Sequence, residues 1–117
     1  MNVHIQRQLS KNHDIINEYN KLYKSDPIVA TVQLGFEMMV AYEYNRLLHR
    51  FDHVPDDQTR SHAKYLLKCV QQQLLESAAN PSFRSGSLSD KADQAKLAGK
   101  ARFCLFLKNV LLDEDEA

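Results

Sequence analysis

From Pro27 to Phe36 the chain carries no charge. Ile28, Val29, Val32, Leu34 and Phe36 run on into Met38, Met39 and Val40, leaving Gln33 and Glu37 as a narrow polar strip. A helix that is apolar around most of its circumference must be enclosed by other protein. Residues 28–48 are therefore expected to form the central helix, with the rest of the chain packed around it. Two apolar lines lie along it at steps of three, four and seven. One, through Val29, Phe36, Val40, Tyr44, Leu47 and Phe51, runs the full length and reads as the core seam. The other, through Ile28, Val32, Gly35 and Met39, occupies only the first half. Beyond it Glu43, Arg46, His49 and Arg50 return that side to water. This helix is thus expected to be covered on two sides at its start and on one at its end. Gly35 costs about 1 kcal/mol of helix propensity relative to alanine, and close approach by a neighbouring helix is the expected compensation.

The punctuation on either side sets the fold. Asp26 can accept hydrogen bonds from the free amides of the next turn, and Pro27 suits the first helical position, where it forfeits no bond. One helix therefore ends and another begins within Ser25-Asp26-Pro27, which implies antiparallel neighbours. The preceding helix, about 3–23, carries its stripe at Ile5, Leu9, Asn12, Ile16, Tyr19 and Tyr23. Pro55 stops the central helix, and Asp56 or Asp57 should cap a third, about 56–79, with Ala63, Leu66, Leu67, Val70, Leu74 and Ala78 inward. Residues 80–89 form a longer polar loop in which Ser87 and Asp90 fit a capping box, with Ser89 as an alternative cap. A fourth helix then spans about 88–112. Four helices of near-equal length predict an all-α fold, an antiparallel four-helix bundle with short connections and one longer loop between the third and fourth. A single domain, 1–112, and a disordered acidic tail, 113–117, follow.

Fifteen basic and fifteen acidic side chains cancel, so no global field draws the chain to nucleic acid or an anionic membrane. The basic residues Lys91, Lys96, Lys100, Arg102 and Lys108 gather on the last helix beside Arg84, but the acidic tail opposes them. The central apolar run is broken by Glu37 and Glu43, well short of the roughly 20 residues that span a bilayer. Its first seven residues hold no apolar run of the secretory type. A cytoplasmic protein is expected, with Cys69 and Cys104 as reduced, buried thiols.

Residues that carry chemistry are scattered. His49 and His53 have the spacing of a helical metal pair, but the helix is expected to end near Phe51, which would part them. Glu37 and Glu43 lack the Glu-x-x-His partners of a di-metal bundle. No phosphate-cradling glycine loop or nucleophile elbow occurs. Arg84-Ser85-Gly86-Ser87 reads as a solvated loop rather than a phosphate site. The chain is therefore expected to be no enzyme and to hold no cofactor or metal.

The last helix has a surplus. Ala92, Ala95, Gly99, Phe103, Phe106 and Val110 form one apolar line, small in its first half so that it can sit tightly on the central helix. Leu97, Ala101, Cys104 and Leu111, flanked by Leu105, Leu107 and Leu112, form a second on the far side. A helix at the edge of a bundle needs only one. Partner contact is accordingly expected at Phe83, Arg84, Leu97, Arg102, Cys104, Leu107 and Leu111. The partner is another protein, with a homodimer sharing the same surface. On this reading the chain is an inhibitor or regulator of an enzyme, probed against three alternatives: a secretion-type chaperone or adaptor, a weak metal binder, or a nucleic-acid-binding bundle.

Overall fold

The computed structural model describes residues 2–79 and 88–112, with side chains in the last helix described from Lys91 onward. Its elements are α1 (Val3–Ser25), α2 (Pro27–Leu48), α3 (Thr59–Ala78) and α4 (Leu88–Phe106). The fold is an all-α helical bundle, with no strand among the described residues. No helix there is long and apolar enough to cross a membrane.

The boundaries follow from local chemistry. Asn2 opens α1 by accepting the His4 amide at 2.8 Å. Asp26 serves two helices at once. Its backbone N–H donates to the Leu22 carbonyl at 2.7 Å, closing α1, while its carboxylate accepts the Val29 amide at 3.1 Å, opening α2. With Pro27 in the first turn, the reversal takes one residue. After Leu48 the chain tightens into a 3-10 turn, His49–Phe51, and a second such turn, Asp56–Gln58, winds into α3. The expected aspartate cap is therefore not used as one; α3 begins behind Gln58 with no side-chain cap. The end of α4 loosens into a π turn, Leu107–Leu111, in which the Leu112 amide reaches back to the Leu107 carbonyl at 2.8 Å.

The core sits at one end of the bundle. It draws Ile5 from the start of α1, Tyr44, Leu47, Leu48 and Phe51 from the end of α2, and Ala63, Leu66, Leu67 and Val70 from the first half of α3. Phe103, Cys104, Phe106, Leu107 and Leu112 complete it from the end of α4. Phe103 meets Tyr44 and Phe51 at ring separations of 6.5 and 6.4 Å, and Phe106 meets Tyr44 at 6.3 Å. Arg60, at the start of α3, donates to the Leu112 carbonyl at 3.0 Å and ties the chain's last described turn to this end. It follows that α2 and α4 both run toward the packed end, while α1 and α3 run away from it.

Extended contact joins α1 to α2, α2 to α4 and α4 to α3. A polar clasp fixes the first pair. Asn12, only 4% exposed, donates to Asn45 at 2.8 Å and accepts from Gln8 at 3.0 Å, and Asn45 donates to the Leu9 carbonyl at 3.4 Å. Buried amides satisfied in this way set register more than they add stability. The second pair is fixed by absence of a side chain: a Cβ on Gly99 would lie 2.9 Å from the Val40 carbonyl oxygen. The small first line of α4 does let it sit tightly on α2, with Ala95 and Phe103 fully buried, although Val110 at its end is exposed.

The second line of α4 corrects the sequence expectation. Leu107 is completely buried and Cys104 nearly so, both inside the core of the single chain. Leu97 and Leu111 are half-buried. The reason is that α3 lies on that side: Leu97, Ala98 and Ala101 share a groove with Leu74, Leu75 and Ala78 of α3. Held between α2 and α3, α4 buries Cys104 and Leu107 of its second line, while Ala101 and the flanking Leu105 remain exposed.

Candidate functional site

The surplus lies on α2 instead. At 3.6 residues per turn, Ile28, Val32, Met39 and Arg46 fall within about 40° of one another around the helix axis. The clasp through Asn45 places α1 on one flank of this face, and the approach of Gly99 to Val40 places α4 on the other. Neither helix covers it. Ile28 is 77% exposed, Val32 80%, Tyr42 63% and Phe36 43%. Ile28 and Val32 belong to the line expected to be covered at the start of the central helix, and Phe36 to the expected core seam; the structure leaves all three exposed, with Ala30 and Gly35 of the same half buried. The described start of α4 meets the second half of α2, where Ala92 lines a groove with Met38, Met39, Tyr42, Glu43 and Arg46.

Gly35, on the line of Ile28 and Val32, is itself buried. Among the described residues the one atom within 4 Å of a Cβ built there, outside its chain neighbours and helix backbone, is Thr31 Cγ2 at 3.7 Å, four residues back on the same helix. Among the described residues no other helix comes within 4 Å of that Cβ, so the close approach expected to compensate Gly35 is not seen among them.

Toward the packed end the face deepens into a groove of about 480 Å³ between α2 and α4. Met39 and Tyr42 give its apolar wall, Glu43 and Arg46 its floor, and Lys96 and Lys100 its rim. Glu43 is buried, 5% exposed, and accepts two hydrogen bonds from Arg46, at 2.5 and 2.9 Å. That bidentate bond to Glu43 holds the guanidinium above its ordinary pKa, against a smaller opposing effect of burial. The carboxylate is thus satisfied and held in place, with no free lone pair directed at a reacting group.

The remaining chemistry is dispersed. Burial drives the Tyr44 phenol far above its usual pKa, only partly countered by the Arg102 charge. Both cysteines are unpaired, Cys69 half-buried and Cys104 buried, and burial pushes the Cys104 thiol up against the pull of Lys108, which keeps it protonated and unreactive at neutral pH. His49 turns to Asp52 at 3.1 Å within its own 3-10 turn. Among the described residues no three metal-ligating side chains come together.

Of the residues expected to contact a partner, Cys104 and Leu107 are core, Leu97 and Leu111 are partly covered by their own chain, and Arg102 is exposed and paired with Glu37 at 3.2 Å. Phe83, Arg84, the capping box at Ser87 and the acidic tail lie outside the described residues. Sequence reasoning missed Tyr42, and it recognised the Ile28–Val32–Gly35–Met39 line but assigned it to the interior. A search of family models, curated proteins and solved structures found no match to this chain.

Proposed function

We propose that the protein is a non-catalytic regulator that acts by seating a helical segment of another protein on the open face of α2. One observation carries this reading: a row of large apolar side chains, Ile28 and Val32 above all, stands in water on a helix whose sequence is that of an enclosed one. Leaving it so forgoes roughly 25 cal/mol for each Å² of apolar surface that a partner would cover, and contiguous exposed patches of this kind mark interaction sites. The spacing of the row matches helix-against-helix packing. Regulation or inhibition of a partner is the mode of action that corresponds to a small bundle whose distinguishing surface is an exposed apolar row.

The test is photo-crosslinking in the native host. A photoreactive residue in place of Val32 should yield a covalent adduct with a second, different protein, and the same residue in place of the exposed Tyr65 on α3 should not. Adducts of equal yield from both positions, or none from position 32, would refute the proposal.

A further inference from the structure

We infer that the segment this face receives is an acidic amphipathic helix, its carboxylates gathered toward the end that meets Lys96 and Lys100. The inference rests on the function proposed above and names the chemistry of the partner. Three features of the face lead to it. The first is length. From Ile28 to Arg46 the face spans about 27 Å at 1.5 Å per residue, too long for a compact small molecule and matched to a helix of about 18 residues. The second is relief: Gly35, buried and without a side chain, adds no bulk midway along the face, and among the described residues the nearest atom to a Cβ built there, beyond its chain neighbours and helix backbone, is Thr31 Cγ2.

The third is charge. The first half of the face, Pro27 to Phe36, has no charged residue. The groove end holds Arg46, Lys96 and Lys100 against a single acid, Glu43, whose two oxygens are already bonded to Arg46. Among the described residues neither lysine makes an ion pair. Asp93, one turn before Lys96, is exposed but does not line the groove. The groove thus presents two uncommitted ammonium groups above an apolar wall. A helix with apolar residues at steps of three and four, flanked by glutamate or aspartate over its last two turns, satisfies both halves. A basic helix would set like charges together, which disfavours it. A second copy of this chain fits less well: its own α2 face brings Arg46 and the same two lysines.

Two synthetic 20-residue peptides test the inference, both with leucines at positions i, i+4, i+7 and i+11, one flanked by glutamates and one by lysines. Fluorescence anisotropy at low salt should show the glutamate peptide binding at least tenfold more tightly. The Lys96→Glu/Lys100→Glu variant should reverse that order, and Lys96→Gln alone should narrow it. Val32→Asp should lose both peptides. Equal affinity for the two peptides would overturn the acidic preference while leaving the partner-binding reading standing. Failure of both to bind would overturn the inference, and a position-32 crosslink that joins only two copies of this chain would overturn it together with the proposed function.

Discussion

Leu107→Asp is expected to unfold the protein rather than to release a partner. Leu107 is completely buried in the four-helix core, at the point where α4 loosens into its π turn beside Phe103 and Leu112. Removing a leucine side chain from such a site costs about 2–5 kcal/mol through lost burial and the cavity left behind. The aspartate adds a carboxylate that must be buried without a partner or protonated, at a further penalty of several kcal/mol. Together these approach the whole stability of an ordinary domain, about 5–15 kcal/mol. Far-UV circular dichroism in urea should therefore show no cooperative transition at 25 °C, or one weakened by more than about 5 kcal/mol. A native-like signal with an unchanged midpoint would return Leu107 to the surface, where the sequence alone had placed it.

Gly99→Ala should destabilise by about 2 kcal/mol, although helix propensity by itself favours alanine by about 1 kcal/mol. The new Cβ would lie 2.9 Å from the Val40 carbonyl oxygen and 2.9 Å from the Glu43 Cβ. A backbone oxygen cannot rotate away, so α2 and α4 must part, and the aromatic packing of Tyr44 on Phe103 and Phe106 below them loosens. Gly35→Ala supplies the opposite sign in the same helix pair. Its Cβ meets only Thr31 Cγ2 at an ordinary 3.7 Å, so the propensity gain of up to about 1 kcal/mol is expected in full. Urea unfolding of the two variants side by side reads both effects. A stabilised Gly99→Ala would mean that the helices are farther apart than described, and a destabilised Gly35→Ala would mean that something already rests on α2.

Much of the scaffold was legible before any coordinates. Asp26-Pro27 marked the tight reversal, because a carboxylate cap and a proline at the first helical position have one structural meaning. Of the inward residues of α3 read from period alone, Ala63, Leu66, Leu67 and Val70 are buried, Leu74 is half-buried and Ala78 is exposed. The glycine and alanines of α4 announced its tight contact with α2. What the sequence withheld was which helix stands at an edge. Two apolar lines on a helix mean two neighbours, but they do not say whether both belong to the same chain. On α4 they do, since α3 closes over Cys104 and Leu107. On α2 the second line stands exposed at Ile28 and Val32. Cys104 and Leu107 of the line expected to meet a partner are thus core, and the exposed apolar row is on α2.

The account depends on the first half of α2 standing open within the single chain. Equilibrium urea unfolding of Val32→Asp measures this most directly, since valine and aspartate have similar helix propensity and a surface exchange leaves stability almost unaltered. The account predicts a free energy of unfolding within about 0.5 kcal/mol of the parent protein. A loss of more than about 2 kcal/mol, the signature of a charge forced into a covered apolar site, would contradict it.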